Sequence, residues 1–223
     1  MRTAAAILRK DLLLELRTLE TLPSMALLSI STFVIFHFGL NQDSLSGQLA
    51  AGVFTVTLLF AAMLAINRLF VAEREQGGFD AFLLAPVDRT AMFVAKAAAL
   101  FIFMVALELV AVPAFALLLA PPRLGHSLAG FVLLLVLADG AFAVIGTFVS
   151  ALAVHTRARD LIGPIIGLPL MLPALIATAR GIGPLLRANS SGSPQLKWLL
   201  VLALYDLFNA LLAVGLFDYL IEE

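Results

Sequence analysis

Cysteine is absent from the 223 residues, which excludes disulfides and thiolate metal sites and leaves the redox compartment open. Charge is scarce as well: Asp, Glu, Lys and Arg make up 13% of the chain, and the formal net charge is -1. With no basic excess, there is no electrostatic footprint for nucleic acid. No G-x-x-x-x-G-K-[ST] pattern occurs, so the chain is not expected to hydrolyse ATP by itself. No nucleophile–base constellation and no metal-spaced His/Asp set is present, which argues against a membrane enzyme. Charges at Arg9, Lys10, Asp11, Glu15 and Arg17 interrupt the place where the apolar run of a cleavable signal would lie. There is no internal repeat and no low-complexity segment.

What remains is apolar. The chain is 62% hydrophobic, with a mean hydropathy of +1.06, far from a soluble domain. Windows of about 20 apolar residues recur, each long enough to cross a hydrocarbon layer about 30 Å thick. Backbone polar groups in lipid must bond internally, so these windows are helices. Six spans are expected, at 22–40, 49–66, 97–119, 128–153, 161–179 and 197–220. The fifth contains Gly163, Pro164, Gly167, Pro169 and Pro173 and is expected to be kinked or broken. Ahead of the first span, residues 3–20 place Ala5, Leu8, Leu12, Leu16 and Leu19 on one stripe, with Leu14 off it and charges over much of the remainder. That pattern suits an amphipathic helix lying in the membrane interface. The fold class is therefore all-α: a polytopic integral membrane protein with an N-terminal interfacial helix (1–21) and a six-helix unit (22–223).

Orientation follows from Lys and Arg. Ten lie on one side: Arg2, Arg9, Lys10 and Arg17 before the first span, Arg68, Arg74, Arg89 and Lys96 after the second, and Arg157 and Arg159 after the fourth. Four lie on the other: Arg123, Arg180, Arg187 and Lys197, with Arg180 and Arg187 expected in a long outer loop at 180–196. The positive-inside rule puts both termini in the cytoplasm. The same rule makes the charged hairpin 67–96 cytoplasmic. Inside it, Gly77 and Gly78 break the helix leaving span 2, and a short helix closed by Pro86 follows. Phe79, Phe82 and Leu83 share one face of that short helix, with Asp80 in its first turn, where the helix dipole favours an acid. An aromatic knob with a charged rim can dock into a partner or fold back on the bilayer. Arg89 and Lys96 are expected to snorkel at the inner edge of span 3.

Three acids fall near mid-span: Glu108, Asp139 and Asp206. A charge at that depth costs about 3 kcal/mol on insertion scales, so such groups face the bundle or a cavity. With no Lys or Arg at the same depth, they are expected to be neutral or bonded to groups such as Asn209, as interhelical contacts rather than a proton relay. Of the histidines, His37 and His126 lie toward the outer side and His155 toward the inner side, so a common metal-ligand role for the three is not expected.

The string E-R-E-x-G-G-x-x-x-x-L-L-x-P-V-x-R (Glu73, Arg74, Glu75, Gly77, Gly78, Leu83, Leu84, Pro86, Val87, Arg89) resembles the cytoplasmic loop of ABC-2-type exporter permeases. Together with "RKDLLLELRTLE" at 9–20, "RLFVAERE" at 68–75 and "ELVAVP" at 108–113, the chain resembles the heme exporter protein B family, CcmB, of cytochrome c maturation. The resemblance implies a permease subunit of an ABC transporter in the bacterial inner membrane, forming a homodimer. It implies a separate CcmA-like ATPase that carries the ATP, and CcmC-, CcmD- and CcmE-like membrane partners. Residues 79–84 would be the coupling helix, and the energy of ATP would free a heme-loaded chaperone. The chain itself would hold no cofactor. Heme would be the transported or handed-over ligand, with no heme-binding residue assigned and its passage through this subunit left open. Heme carries two propionates, so ionised acids at mid-membrane would repel it and make a poor clamp. The alternatives are an ABC-2-type permease for a lipid, drug or polysaccharide, and a proton-coupled secondary transporter, against which the missing inverted repeat argues.

Overall fold

A computed structural model describes residues 2–41, 44–69, 89–122, 124–154, 163–189 and 191–220. Seven α-helices run through them: α1 (Arg2–Thr18), α2 (Thr21–Leu40), α3 (Gly47–Arg68), α4 (Arg89–Leu119), α5 (Leu128–Val154), α6 (Leu168–Leu185) and α7 (Leu196–Leu220). No strand occurs among the described residues. The six helices α2 to α7 are long and apolar enough to cross a membrane, as expected from the apolar windows.

Two span boundaries differ from the sequence expectation by more than two residues. The third begins at Arg89 rather than 97, because the helical backbone continues past the charged residues at its start. The fifth ends at Leu185 rather than 179, which places Arg180 inside α6 on an exposed face and not in the outer loop. An arginine does not break a helix, and apolar residues continue beyond it to Leu185. The fifth span is irregular at its start, where Gly163–Gly167 forms a π-helical turn. From there α6 continues helically through Pro169, Pro173 and Pro184. A proline removes a backbone donor and leaves carbonyls in its neighbourhood short of partners. Near that irregular start, the Tyr205 hydroxyl of α7 donates to the Leu170 carbonyl.

At the centre of the bundle, α3 packs against α2, α6, α5 and α4, and it is the most enclosed span. Its inner faces are rich in small residues, including Ala50, Ala51, Ala61, Ala62 and Ala65, which let neighbouring backbones approach closely. Four phenylalanines from four helices close the half of the bundle away from α1: Phe33, Phe54, Phe115 and Phe131, all fully buried. Phe54 meets Phe115 edge-on at 4.8 Å and Phe131 at 5.1 Å, and stacks with Phe33 at 6.0 Å between ring centroids. By contrast, α2 and α7 lie at the periphery and leave most of their apolar surface outward. At the far end the connections interlock: Leu45 N–H donates to the Leu119 carbonyl (2.9 Å), Gly47 N–H to Leu186 (3.2 Å), and Ser127 Oγ to Leu185 (3.0 Å).

Candidate functional site: the roots of segment 70–88 and an acid seam

Residues 70–88 leave α3 at Leu69 and return at Arg89, the first residue of α4. Glu73, Arg74, Glu75, Gly77, Gly78, Phe79, Asp80, Phe82, Leu83 and Pro86 lie outside the described residues, as do Arg123, His155, Arg157 and Arg159. The roots of the segment are described. Lys96, expected to snorkel outward, is instead buried. Its ammonium lies 3.0 Å from the Asp11 carboxylate of α1 and donates to the Leu69 carbonyl at 3.0 Å. The ammonium thus meets the negative end of the α3 dipole and an acid together. Asp11 also lies 3.3 Å from Lys10. Ser150 of α5 donates to the Ile66 carbonyl at 3.0 Å, bracing the same last turn of α3.

The face of α1 that meets the bundle lies beside its apolar stripe, of which Leu8 packs against the core. Ile7, Asp11 and Glu15, four residues apart, point inward, while Leu16 and Leu19 of the stripe are 66% and 57% exposed. Glu15 caps the next helix: its Oε1 accepts the Thr21 N–H at 2.8 Å and the Leu22 N–H at 2.7 Å. A carboxylate there satisfies two donors that have no partner within α2 and complements the positive end of its dipole. Arg68 lies 3.3 Å from Glu20, a solvent-facing pair worth little energetically.

Deeper in the bundle the three acids lie on α4, α5 and α7, helices that pack against one another. Asp139 is fully buried, and neither of its carboxylate oxygens has a hydrogen-bond partner. Glu108 of α4 is near enough to act on it electrostatically and has Oε1 unbonded. Asp206 of α7 reaches the next residue of α5: a Cβ on Gly140 would lie 3.0 Å from its Oδ2. The expected bond from Asn209 to Asp206 is not made. Asn209 Nδ2 donates to the Tyr205 carbonyl (2.8 Å), the backbone acceptor one helical turn back. Of the two arrangements expected for these acids, neutral or bonded to a group such as Asn209, the Asn209 bond does not form.

Of the histidines, His37 packs edge-on against Phe38 at 5.0 Å. His126 lies against Gly192, where a Cβ would come within 2.9 Å of its ring and where φ is +78°. No group of three or more His, Asp or Glu placed to hold a metal ion occurs among the described residues.

A scan against protein families matches the family described as CcmB protein over residues 2–217. The chain is also similar to heme exporter protein B of Rhodobacter capsulatus, 33% identical over 149 residues, covering 67% of each chain. It is 29% identical over 186 residues to heme exporter protein B of Paracoccus denitrificans, covering 83% of this chain and 82% of that one. The protein of the same name from Bradyrhizobium diazoefficiens is 29% identical over 178 residues, with 79% of each covered. No solved structure matches the chain. The chain belongs to the CcmB family.

The CcmB match takes in α1, both roots of segment 70–88 and all three acids. These features therefore belong to the CcmB unit itself. Asp11, Glu15 and Ser150 were not singled out by sequence reasoning, which attended to the apolar stripe. One signal was available: Asp11 and Glu15 are like charges one turn apart, unfavourable on a free helix and so in need of partners elsewhere.

Proposed function

We propose that this CcmB-family chain is the membrane permease subunit of an ABC-type heme exporter, serving cytochrome c maturation in the bacterial inner membrane. The observation that carries this reading is the family match across nearly the whole chain, together with relatives named heme exporter protein B. Six spans and the absence of a phosphate-binding loop in the sequence support a permease driven by a separate CcmA-like ATPase. In this reading both termini are cytoplasmic, the apolar stripe of α1 lies on the bilayer, and the chain works as a homodimer with CcmC-, CcmD- and CcmE-like partners. The knob of Phe79, Phe82 and Leu83 seats in the ATPase, rimmed by Glu73, Arg74, Glu75, Asp80 and Arg89, with Gly77, Gly78 and Pro86 bounding the short helix. ATP hydrolysis there drives release of the heme-loaded chaperone. Glu108, Asp139 and Asp206 line the contact between helices rather than clamp heme: neutral they offer no counter-charge, and ionised they would repel its propionates.

The test is a gentle detergent pull-down of the tagged protein from its host, with every co-purifying chain identified. A nucleotide-binding subunit with CcmC- and CcmE-like partners is the expected result. An ATPase without those partners would move the substrate to another exporter class, and no ATPase at all would refute the reading. Phe82→Asp is expected to abolish ATPase recovery while leaving membrane insertion intact.

A further inference from the structure

The buried contacts at the roots of segment 70–88 join three elements that the sequence keeps apart. Lys96 stands seven residues into the returning helix α4, Leu69 closes the outgoing helix α3, and Asp11 belongs to α1, which precedes every span. One ammonium holds all three, at 3.0 Å from both the Asp11 carboxylate and the Leu69 carbonyl. Both charged side chains are buried, so the pair is little screened by solvent or salt. Losing Lys96 would leave the buried Asp11 carboxylate to the more exposed Lys10, 3.3 Å away, a poorer counter-charge, so the contact resists opening. Glu15, on the same face one turn further along α1, grips the first turn of α2 through two backbone amides. On its other side, α1 turns exposed leucines outward, away from the bundle.

We infer that Lys96 is a positioning residue that locks α1 to both roots of the 70–88 segment, so that motion of this segment carries α1, and through Glu15 the start of α2, with it. The first span is then driven from the ATPase side by a lever anchored at Asp11, in addition to any direct push along α3 and α4. This inference rests on the ATPase-coupled reading above. It adds a route by which a displacement at the segment reaches a span that does not adjoin it in sequence.

The experiment uses the complete complex in lipid nanodiscs and the Lys96→Met variant, with Asp11→Asn as the milder second variant should Lys96→Met fail to accumulate. The chain has no cysteine, so Ile7→Cys supplies a single reporter at a position buried one turn from Asp11. That cysteine is expected to resist a membrane-impermeant maleimide in the otherwise native chain and to react once Lys96 or Asp11 is replaced. ATP hydrolysis by the variant complex is expected to stay within about twofold of the native rate. Release of heme-loaded chaperone per ATP hydrolysed should fall about 5- to 150-fold, the range of an ordinary coupling free energy. A merely structural defect would lower hydrolysis and release together and leave their ratio unchanged, which would overturn the inference. Maleimide protection of Ile7→Cys persisting in both variants would overturn it also, because α1 would then be held by other contacts. A native complex that contains no ATPase would refute the functional reading itself, a result separable from these because it appears before any variant is made.

Discussion

Replacing Phe54 by Ala tests whether packing or hydrophobicity holds this bundle together. In water a buried phenylalanine owes much of its contribution to leaving the solvent, but lipid tails are as apolar as the protein interior. What remains for Phe54 is its contacts: stacking with Phe33 at 6.0 Å, and edge contacts with Phe115 at 4.8 Å and Phe131 at 5.1 Å. Aromatic pairs contribute about 0.5–1.5 kcal/mol each beyond area burial, so losing three amounts to about 1.5–4.5 kcal/mol. The void left behind forfeits further dispersion contacts on every wall. Phe60 is the internal control, because it lies on the same helix but is 53% exposed, toward the lipid. Phe60→Ala exchanges one apolar neighbour for another and is expected to shift stability by no more than about 0.5 kcal/mol. The assay is equilibrium unfolding in mixed micelles of a mild detergent and dodecyl sulfate, followed by the fluorescence of the chain's one tryptophan, Trp198. Equal losses at positions 54 and 60 would refute the reasoning, since burial among rings would then contribute nothing beyond contact with lipid.

Glu15→Ala should lower stability by about 1–3 kcal/mol in the same titration, because it leaves the Thr21 and Leu22 amides without their acceptor. Glu15→Gln, which keeps an acceptor oxygen, should recover most of that loss. Tyr205→Phe removes the hydroxyl donor to the Leu170 carbonyl at a cost of about 0.6 kcal/mol, reaching about 1.7 at most. Faster amide exchange confined to the start of α6 is the measurement that checks it. Asp139→Asn keeps the shape of a buried group whose oxygens make no hydrogen bond, so fold stability and c-type cytochrome yield are expected to hold. Loss of cytochromes at normal protein levels would assign proton or substrate chemistry to the seam instead.

The six spans were legible because lipid imposes one rule on every window: about 20 apolar residues that bond their own backbone. The places where that rule ends were less legible. Charges at Arg89 and Lys96 read as the edge of the membrane, yet α4 already begins at Arg89 and runs on through Lys96. Arg180 read as a loop residue for the same reason and lies within α6. In both cases hydropathy measures where lipid stops, whereas the helix stops only where its hydrogen bonding is broken. The roughness of the fifth span was visible in its glycines and prolines, but its resolution into a π turn followed by a continuous helix depends on neighbours such as Tyr205, 35 residues further along from Leu170.

The side-chain arrangements divide along the same line. Depth in the membrane is a property of sequence position, so Glu108, Asp139 and Asp206 could be placed near mid-span from the chain alone. What each of them faces depends on how α4, α5 and α7 rotate about their own axes, and Gly140 is part of the answer because it leaves room for the Asp206 carboxyl. Rotation also decides α1. Beyond Leu8, its leucine stripe has no need of the bundle if a bilayer covers it, which frees the adjoining face, with Ile7, Asp11 and Glu15, to make the protein contacts. In a soluble protein the same helix would turn its leucines inward and its acids to water. With lipid outside, the preference inverts, and the acids find an ammonium and two helix-end amides that only the folded bundle supplies.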